Sequence, residues 1–345
     1  MLSPQPAAGA GSDDARSRLR LALAHPQFAV ALLMIAYVAI VGYFAPEMIS
    51  LETAQDVMLA LAPLAILAIG QTFVLMVAQI DLSVTASMSF ASVIAAAVMT
   101  LSGGPLAGGA LAAPAAILIF VGMGAAVGAF NGYCVAKLGM PSFLASLAVM
   151  MFLAGAALWF VSHVAQSASI GDLPASFTVL GYGDLFGAPI ALLIAGALAL
   201  AAHLLMTRTL LGRWMQAVGL NPIAARVSGA PVARVTLAAF ILSGLYAGLA
   251  AMIYCARLET GTPLLAEKSL LLDIVGAAVI GGVSLFGGRG GVGGVLMGAL
   301  LLTVLDKGLQ MLGLSAFMVL AAKGGVILLA ALFDGLRQRT ALSQA

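Results

Sequence analysis

Runs of about 20 apolar residues follow one another along the chain, each the length a helix needs to cross the hydrocarbon core of a bilayer. They fall at 27–45, 57–79, 83–102, 110–132, 143–161, 189–207, 233–255, 270–288, 291–310 and 317–334. Lipid offers no hydrogen-bond partners to the backbone, so only helices and closed barrels can span it. A barrel would alternate apolar and polar residues over segments of about ten, and no such alternation occurs. Of 345 residues, 63% are hydrophobic and 8% charged, which no soluble core of this length accounts for. The expected class is all-α: a polytopic helical membrane protein of about ten transmembrane helices. The 40 glycines suit close helix packing.

The net charge of +2 says little about partners; the placement of the charges says more. With ten spans, one set of connecting segments holds Arg16, Arg18, Arg20, Lys137, Arg208, Arg213, Arg226, Arg289, Arg337 and Arg339. The other set holds Glu47, Glu52, Asp56, Asp172, Asp184, Glu259 and Glu267, against Arg257 and Lys268. The positive-inside rule assigns the basic set to the cytoplasm, with both termini there. Residues 1–26 read as a disordered cytoplasmic tail, rich in Pro, Ala, Gly, Ser and Asp at its start. Three arginines before an apolar run resemble a signal peptide, but the run is long and no clean small-residue cleavage site follows. The first span is therefore expected to stay. Residues 27–336 form the transmembrane domain and 337–345 a second cytoplasmic tail.

The segment Arg208–Pro231, RTLLGRWMQAVGLNPIAARVSGAP, is the longest interruption with a net positive charge. A short helix has its ends written into it. Asn221 suits the N-cap, Pro222 the first helical position, and Gly229 the close before Pro231. Gly212 and Gly219 are expected as flexible flanks. The local pattern fits two readings: a loop shaped to fit another protein, or an amphipathic connector on the membrane surface with Trp214 as its anchor.

Few residues could carry chemistry. Cys134 and Cys255 fall in different apolar runs, and His25, His163 and His203 stand far apart. That spacing matches no metal site, and a structural disulfide is not expected. Asp81 lies in AQIDLSVTASMSF, where a carboxylate near the bilayer is costly. It either caps the third span or belongs to a broken helix lining a path. In the second case Ser83 and Ser87 share a polar face, with Gln71, Thr72 and Gln79 on the span before. Gly281–Gly290, GGVSLFGGRG, holds too many glycines for an interior helix and marks a bend or re-entrant turn around Ser284. It is not a phosphate loop. Gly290, Gly294 and Gly298 are expected to present a smooth packing face. Ile80-Asp81-Leu82 and Val283-Ser284-Leu285 lie 203 residues apart, as do Phe130-Asn131-Gly132 and Phe333-Asp334-Gly335. The shared offset hints at an internal repeat. Asp306 and Lys323 form a candidate ion pair. No lysine follows a glycine, so the nucleotide-binding G-x-x-x-x-G-K-[ST] cannot occur. If nucleotide drives this protein, another subunit hydrolyses it.

Four stretches together resemble the membrane permeases of sugar-type ABC importers, the ribose/xylose/autoinducer-2 family. They are GQTFVLMVAQIDLSV (Gly70–Val84), NGYCVAKLGMPSFLASLA (Asn131–Ala148), AVGLNPIAARVSG (Ala217–Gly229) and DIVGAAVIGGVSLFGGRGGVGGVLMGALLL (Asp273–Leu302). The sequence departs from the family pattern at Ala78 and Gln79, where two glycines are common, and at Val84 or Thr85, where another is. The resemblance implies a bacterial inner-membrane permease without catalysis of its own. It implies a second permease copy, identical or sister, and two cytoplasmic ATPase subunits that carry the ATP and Mg. It also implies a periplasmic solute-binding protein, met by loops 162–188 and 256–269. The 213–231 loop becomes the coupling element, with Arg213, Asn221, Ala224, Ala225 and Arg226 toward the ATPase and Gly219 and Gly229 setting its geometry. The translocated solute would be monosaccharide-like. Competing readings are a branched-chain amino-acid permease, an ion-coupled transporter, for which midplane carboxylates are scarce, and an intramembrane enzyme, for which clustered acids or histidines are missing.

Overall fold

The computed structural model describes residues 26–265 and 270–342. The expectations for the N-terminal tail, for Arg16, Arg18 and Arg20, and for Glu267 and Lys268 lie outside them. So do residues 343–345.

Ten apolar helices stand where the runs placed them. Six are long and apolar enough to cross a membrane and four are shorter, among the described residues. In chain order they are α1 (Pro26–Phe44), α2 (Leu51–Met76), α3 (Val84–Met99), α4 (Ala112–Ala136) and α5 (Ser142–Phe160). A short α6 (Ala175–Tyr182) and a two-stranded hairpin, β1 (Asp184–Leu185) and β2 (Ala188–Pro189), precede α7 (Ile190–Arg208). Then come α8 (Leu210–Leu220), α9 (Pro222–Val227), α10 (Val232–Leu258), α11 (Leu270–Ile280), α12 (Val292–Met311) and α13 (Ala316–Leu342). The last helix continues past the expected start of the C-terminal tail.

Contacts between loops sort the connections into two ends. At one end Gly288 N–H bonds Met76 O (2.9 Å) and Ile80 N–H bonds Ser142 Oγ (3.3 Å). At the other, Ile170 and Gly261 exchange backbone bonds, Leu101 N–H reaches Asp172 O, and Lys307 meets Asp56. The first end carries Lys137, Arg208, Arg213, Arg226 and Arg289, and the second carries Glu47, Glu52, Asp56, Asp172, Asp184 and Glu259. The alternation read from the charges is thus built into the chain's up-and-down path.

Helices α2, α10 and α12 make the buried centre, with α4, α5 and α7 more exposed around it. Where helices cannot gain by excluding water they gain by close approach, and small residues permit it. Gly124 and Gly128 of α4 face Gly244 and the Phe240 carbonyl of α10, while Gly248 faces the Phe120 carbonyl. A Cβ at any of these positions would strike opposing backbone. Gly298 of α12 meets the Ala277 carbonyl of α11 in the same way.

The span expected over 270–288 is not a continuous helix. Helix α11 stops at Ile280, and Gly282 turns the chain with φ at 86°. Gly287 and Gly288 also take left-handed backbone, which costs glycine no Cβ clash. Gly290 lies in this loop, before α12 begins, and its expected place on a helical packing face is not realised. From Leu270 the described helix rises about 16 Å over eleven residues before the glycines end it. The turn is partly covered by protein: Val283, Ser284, Gly287 and Gly288 are buried, while Gly282, Phe286 and Arg289 are exposed. Segment 77–83 is the counterpart after α2, with Val77, Asp81 and Ser83 buried.

Candidate functional site

The two loops 77–83 and 281–291 share a local design. Asp81 Oδ1 accepts from the Ser83 N–H (2.9 Å), two residues on. Ser284 Oγ accepts from the Phe286 N–H (3.2 Å), also two residues on. Side chains that bond the backbone two residues ahead build such turns without a helix. The two turns sit 203 residues apart, the offset read from the sequence. Asp81 bonds the amide of the residue before α3 and none further into the helix, so the expected cap is a turn just ahead of it.

Asp81 is also tied to α4 and α2. Asn131 of α4 donates to Ser83 Oγ (2.7 Å), which donates to Asp81 Oδ1 (2.7 Å). With its amide oxygen turned toward the Asp81 N–H, Gln71 of α2 takes up both backbone groups of Asp81, at 3.3 and 3.2 Å. Ser87 spends its hydroxyl on Val84 O of its own helix (2.7 Å). Gln71, Asp81, Ser83, Ser87 and Ser284 are all buried, and Gln79 is half-buried. Of the sequence-predicted path residues, hydrogen bonds join Gln71, Asp81 and Ser83, and none of the six lines a described cavity. Asn131 was not singled out as a participant. Its signal was the polar residue in the apolar run of the Asn131–Ala148 stretch.

The basic loop holds two helices. Thr209 caps α8 by accepting from the Gly212 N–H (3.2 Å). Asn221 caps α9 by accepting from the Ile223 and Ala224 N–H groups, both at 3.0 Å. Gly229 ends the unit with φ at 87°, two residues before Pro231. The flexible role expected of Gly212 and Gly219 does not hold, because both lie within α8 and are buried. Gly212 lies against the carbonyls at the end of α7, and Gly219 against Met76 O and Gly288 N. A Cβ at Gly219 would collide with both broken-helix loops at once. Thus α8 ends on the backbone junction where Gly288 N–H bonds Met76 O.

Helix α9 projects beyond this junction. Asn221, Ala224 and Arg226 are exposed, but Ala225, expected to face outward with them, is buried against the rest of the fold. Sequence reasoning missed the apolar part of this surface. Ile223 is 76% and Val227 85% exposed, beside Arg226 and with Leu220 close in sequence. A six-residue helix shows no periodicity from which its outer face could be read.

At the opposite end Lys323 of α13 meets Asp306 of α12 (3.2 Å), as expected. Its nearer partner is Asp273 of α11 (2.8 Å), which the sequence did not single out. Asp273 could have been noticed as an acid in the first turn of an apolar run. A second pair, Lys307–Asp56 (2.7 Å), ties α12 to α2 beside it.

Among the described residues no group of His, Cys, Asp and Glu could hold a metal ion.

Residues 53–332 match the model of the family described as branched-chain amino acid transport system / permease component. The chain belongs to that permease family. It is similar to the ribose import permease protein RbsC of Escherichia coli, 35% identical over 90% of this chain and 93% of the relative. It is similar to RbsC of Haemophilus influenzae at 32%, over 87% and 90% of the two chains. The xylose transport system permease protein XylH of Escherichia coli is 32% identical, over 79% and 82%. No solved structure matches. The family member is a multi-pass membrane protein and a transport subunit, and the fold contains the helices that requires.

Proposed function

We infer that this chain is the membrane permease of an ATP-driven sugar importer, in which the α8–α9 loop couples transport to a separate ATPase. The observation that carries the mechanism is the junction of Gly219, Met76 and Gly288. A push on α9 passes through α8 directly into both broken-helix loops, because backbone meets backbone there with no side chain to give. Packed interfaces of this kind shift between discrete arrangements instead of bending smoothly.

In this reading the α9 surface of Ile223, Ala224, Val227 and Arg226 seats on the ATPase. Gly219 and Gly229 fix its angle, and Arg213 extends the basic surface. Buried residues Gln71, Asp81, Ser83, Ser87 and Ser284, with half-buried Gln79, bound the path and reach solute only when the two loops part. ATP and Mg belong to the ATPase. The basic end, with both termini, faces the cytoplasm. The acidic end, including loops 162–188 and 256–269, meets a periplasmic binding protein, and a second permease copy completes the path. The names of the relatives, ribose import and xylose transport, favour a sugar over a branched-chain amino acid as solute.

The test is uptake by proteoliposomes holding the permease with its ATPase and binding protein. Sugar accumulation is expected only with internal ATP. Uptake that persists without the ATPase and collapses with an ion gradient would point to a secondary transporter.

A further inference from the structure

A cavity of about 770 Å³ opens at the end away from the coupling loop. It is set between the C-terminal ends of α10 and α12 and the N-terminal halves of α11 and α13. That size falls within the roughly 300–1,000 Å³ of small-molecule sites. One wall is polar: Asp273, Asp306, Gln310 and Lys323. Much of the remainder is apolar, including Leu258, Leu265, Leu270, Leu314 and Leu320.

The polar wall is held rigidly. Lys323 bonds Asp273 Oδ2 at 2.8 Å and Asp306 Oδ1 at 3.2 Å, and Gln310 Nε2 bonds Asp306 Oδ2 at 2.9 Å. The Lys323 side chain is 9% exposed and that of Asp306 is 36%. An ammonium has three N–H groups, and two are taken here. Each carboxylate oxygen accepts more than one hydrogen bond, so Asp306 retains acceptor capacity at its exposed edge. The wall therefore offers fixed donors and acceptors a few ångströms apart, opposite an apolar surface. A sugar ring matches that arrangement, with hydroxyls on its edge and C–H groups on its face. Among the described lining residues two carboxylates stand against one ammonium, a net negative charge that disfavours an anionic solute.

We propose that this cavity is a subsite for a neutral monosaccharide-sized sugar, gripped by Asp273, Asp306, Gln310 and Lys323 on its way into the membrane. It rests on the importer reading and adds the place where solute first meets the permease.

The experiment uses the full chain carrying Ala316→Cys, an exposed lining residue outside the polar wall, expressed with its ATPase in spheroplasts. Both native cysteines, Cys134 and Cys255, are buried, so labelling reports the new thiol. A membrane-impermeant maleimide is added from outside, alone or with ribose, xylose, galactose or ribose 5-phosphate. Labelling is expected without sugar. By simple occupancy it slows about fivefold when a neutral sugar reaches about four times its dissociation constant. Ribose 5-phosphate is expected to leave the rate unchanged, and adding Asp306→Asn to abolish protection while labelling persists. A thiol that never labels, one that no neutral sugar protects, or one that ribose 5-phosphate protects equally overturns the proposal. Sugar uptake is measured separately on intact cells holding the native chain with its ATPase and binding protein. Normal ATP-driven uptake with no protection removes the subsite alone, whereas absent uptake of every sugar removes the importer reading.

Discussion

Ala78 holds φ at 57°, in the left-handed region that favours glycine, just after α2 ends. This is one of the positions where the sequence lacks the glycine common in the family it resembles. A Cβ there costs about 1–2 kcal/mol, partly offset by the extra freedom glycine has in the unfolded chain. Ala78→Gly is expected to stabilise the protein by about 0.5–1 kcal/mol, seen as a higher unfolding midpoint in detergent. A lower midpoint would mean that the Ala78 methyl contributes packing that outweighs the strain. Gly219→Ala should act in the opposite sense and more strongly. Its Cβ has backbone on both sides and no side chain to displace, so overpacking of about 1–3 kcal/mol or more is expected. Transport should fall far more than membrane insertion, because the junction deforms while the spans remain. Sugar uptake beside surface abundance separates these outcomes. Lys323 differs again. Lys323→Met leaves Asp273 and Asp306 facing each other without a cation, at a cost of about 3–5 kcal/mol. Asp306→Asn retains the Asp273–Lys323 pair and should cost markedly less. Equal losses in thermal stability would show that Asp273 is not the main partner. At this scale the sequence disclosed single anomalies, such as an acid or lysine inside an apolar run. It did not disclose which of two carboxylates on different helices would lie nearer, because that depends on how α11 sits against α12.

Helix α9 was legible because its ends are chemical: an Asn cap, a Pro at the first position and a Gly beyond the last. Helix α8 was not, since Gly212 and Gly219 inside an eleven-residue segment read as flexible punctuation. Their actual reason is contact with α7 and with the broken-helix junction, which only tertiary structure shows. The same holds for α11. An apolar run continues through Val283 and Leu285, so hydropathy extends the span, while the glycines end the helix at Ile280. The α4–α10 crossing makes a sharp prediction for whole elements. Gly124→Val would drive a branched side chain into the Gly244 carbonyl. Separation of α4 from α10 should destabilise the fold by several kcal/mol, of the order seen for gross overpacking or more. Gly155→Val of α5, where a Cβ meets open space, is the matched control and should be nearly silent. Monodispersity after detergent extraction distinguishes them, and similar behaviour of both would refute the close-packing account.

For the whole molecule, the fold class and the span order were readable because lipid permits so few solutions. The opposed ends were readable because arginine and lysine cluster on one set of connections. What could not be read was that three segments distant in sequence meet at one point. Met76, Gly219 and Gly288 come together only after α2, α8 and α11 have packed. That meeting joins an exposed α9, through α8, to both broken-helix loops. The α9 surface is the end that an ATPase would hold. The most direct test replaces Ile223 with cysteine and, in the assembled complex, applies a short bismaleimide across the proposed contact to cysteines placed on the ATPase. The account predicts a cross-link to the ATPase, formed in inside-out vesicles and altered when ATP binds. A chain whose Ile223→Cys is labelled from the periplasmic side, or that never cross-links while the complex still transports, would contradict it.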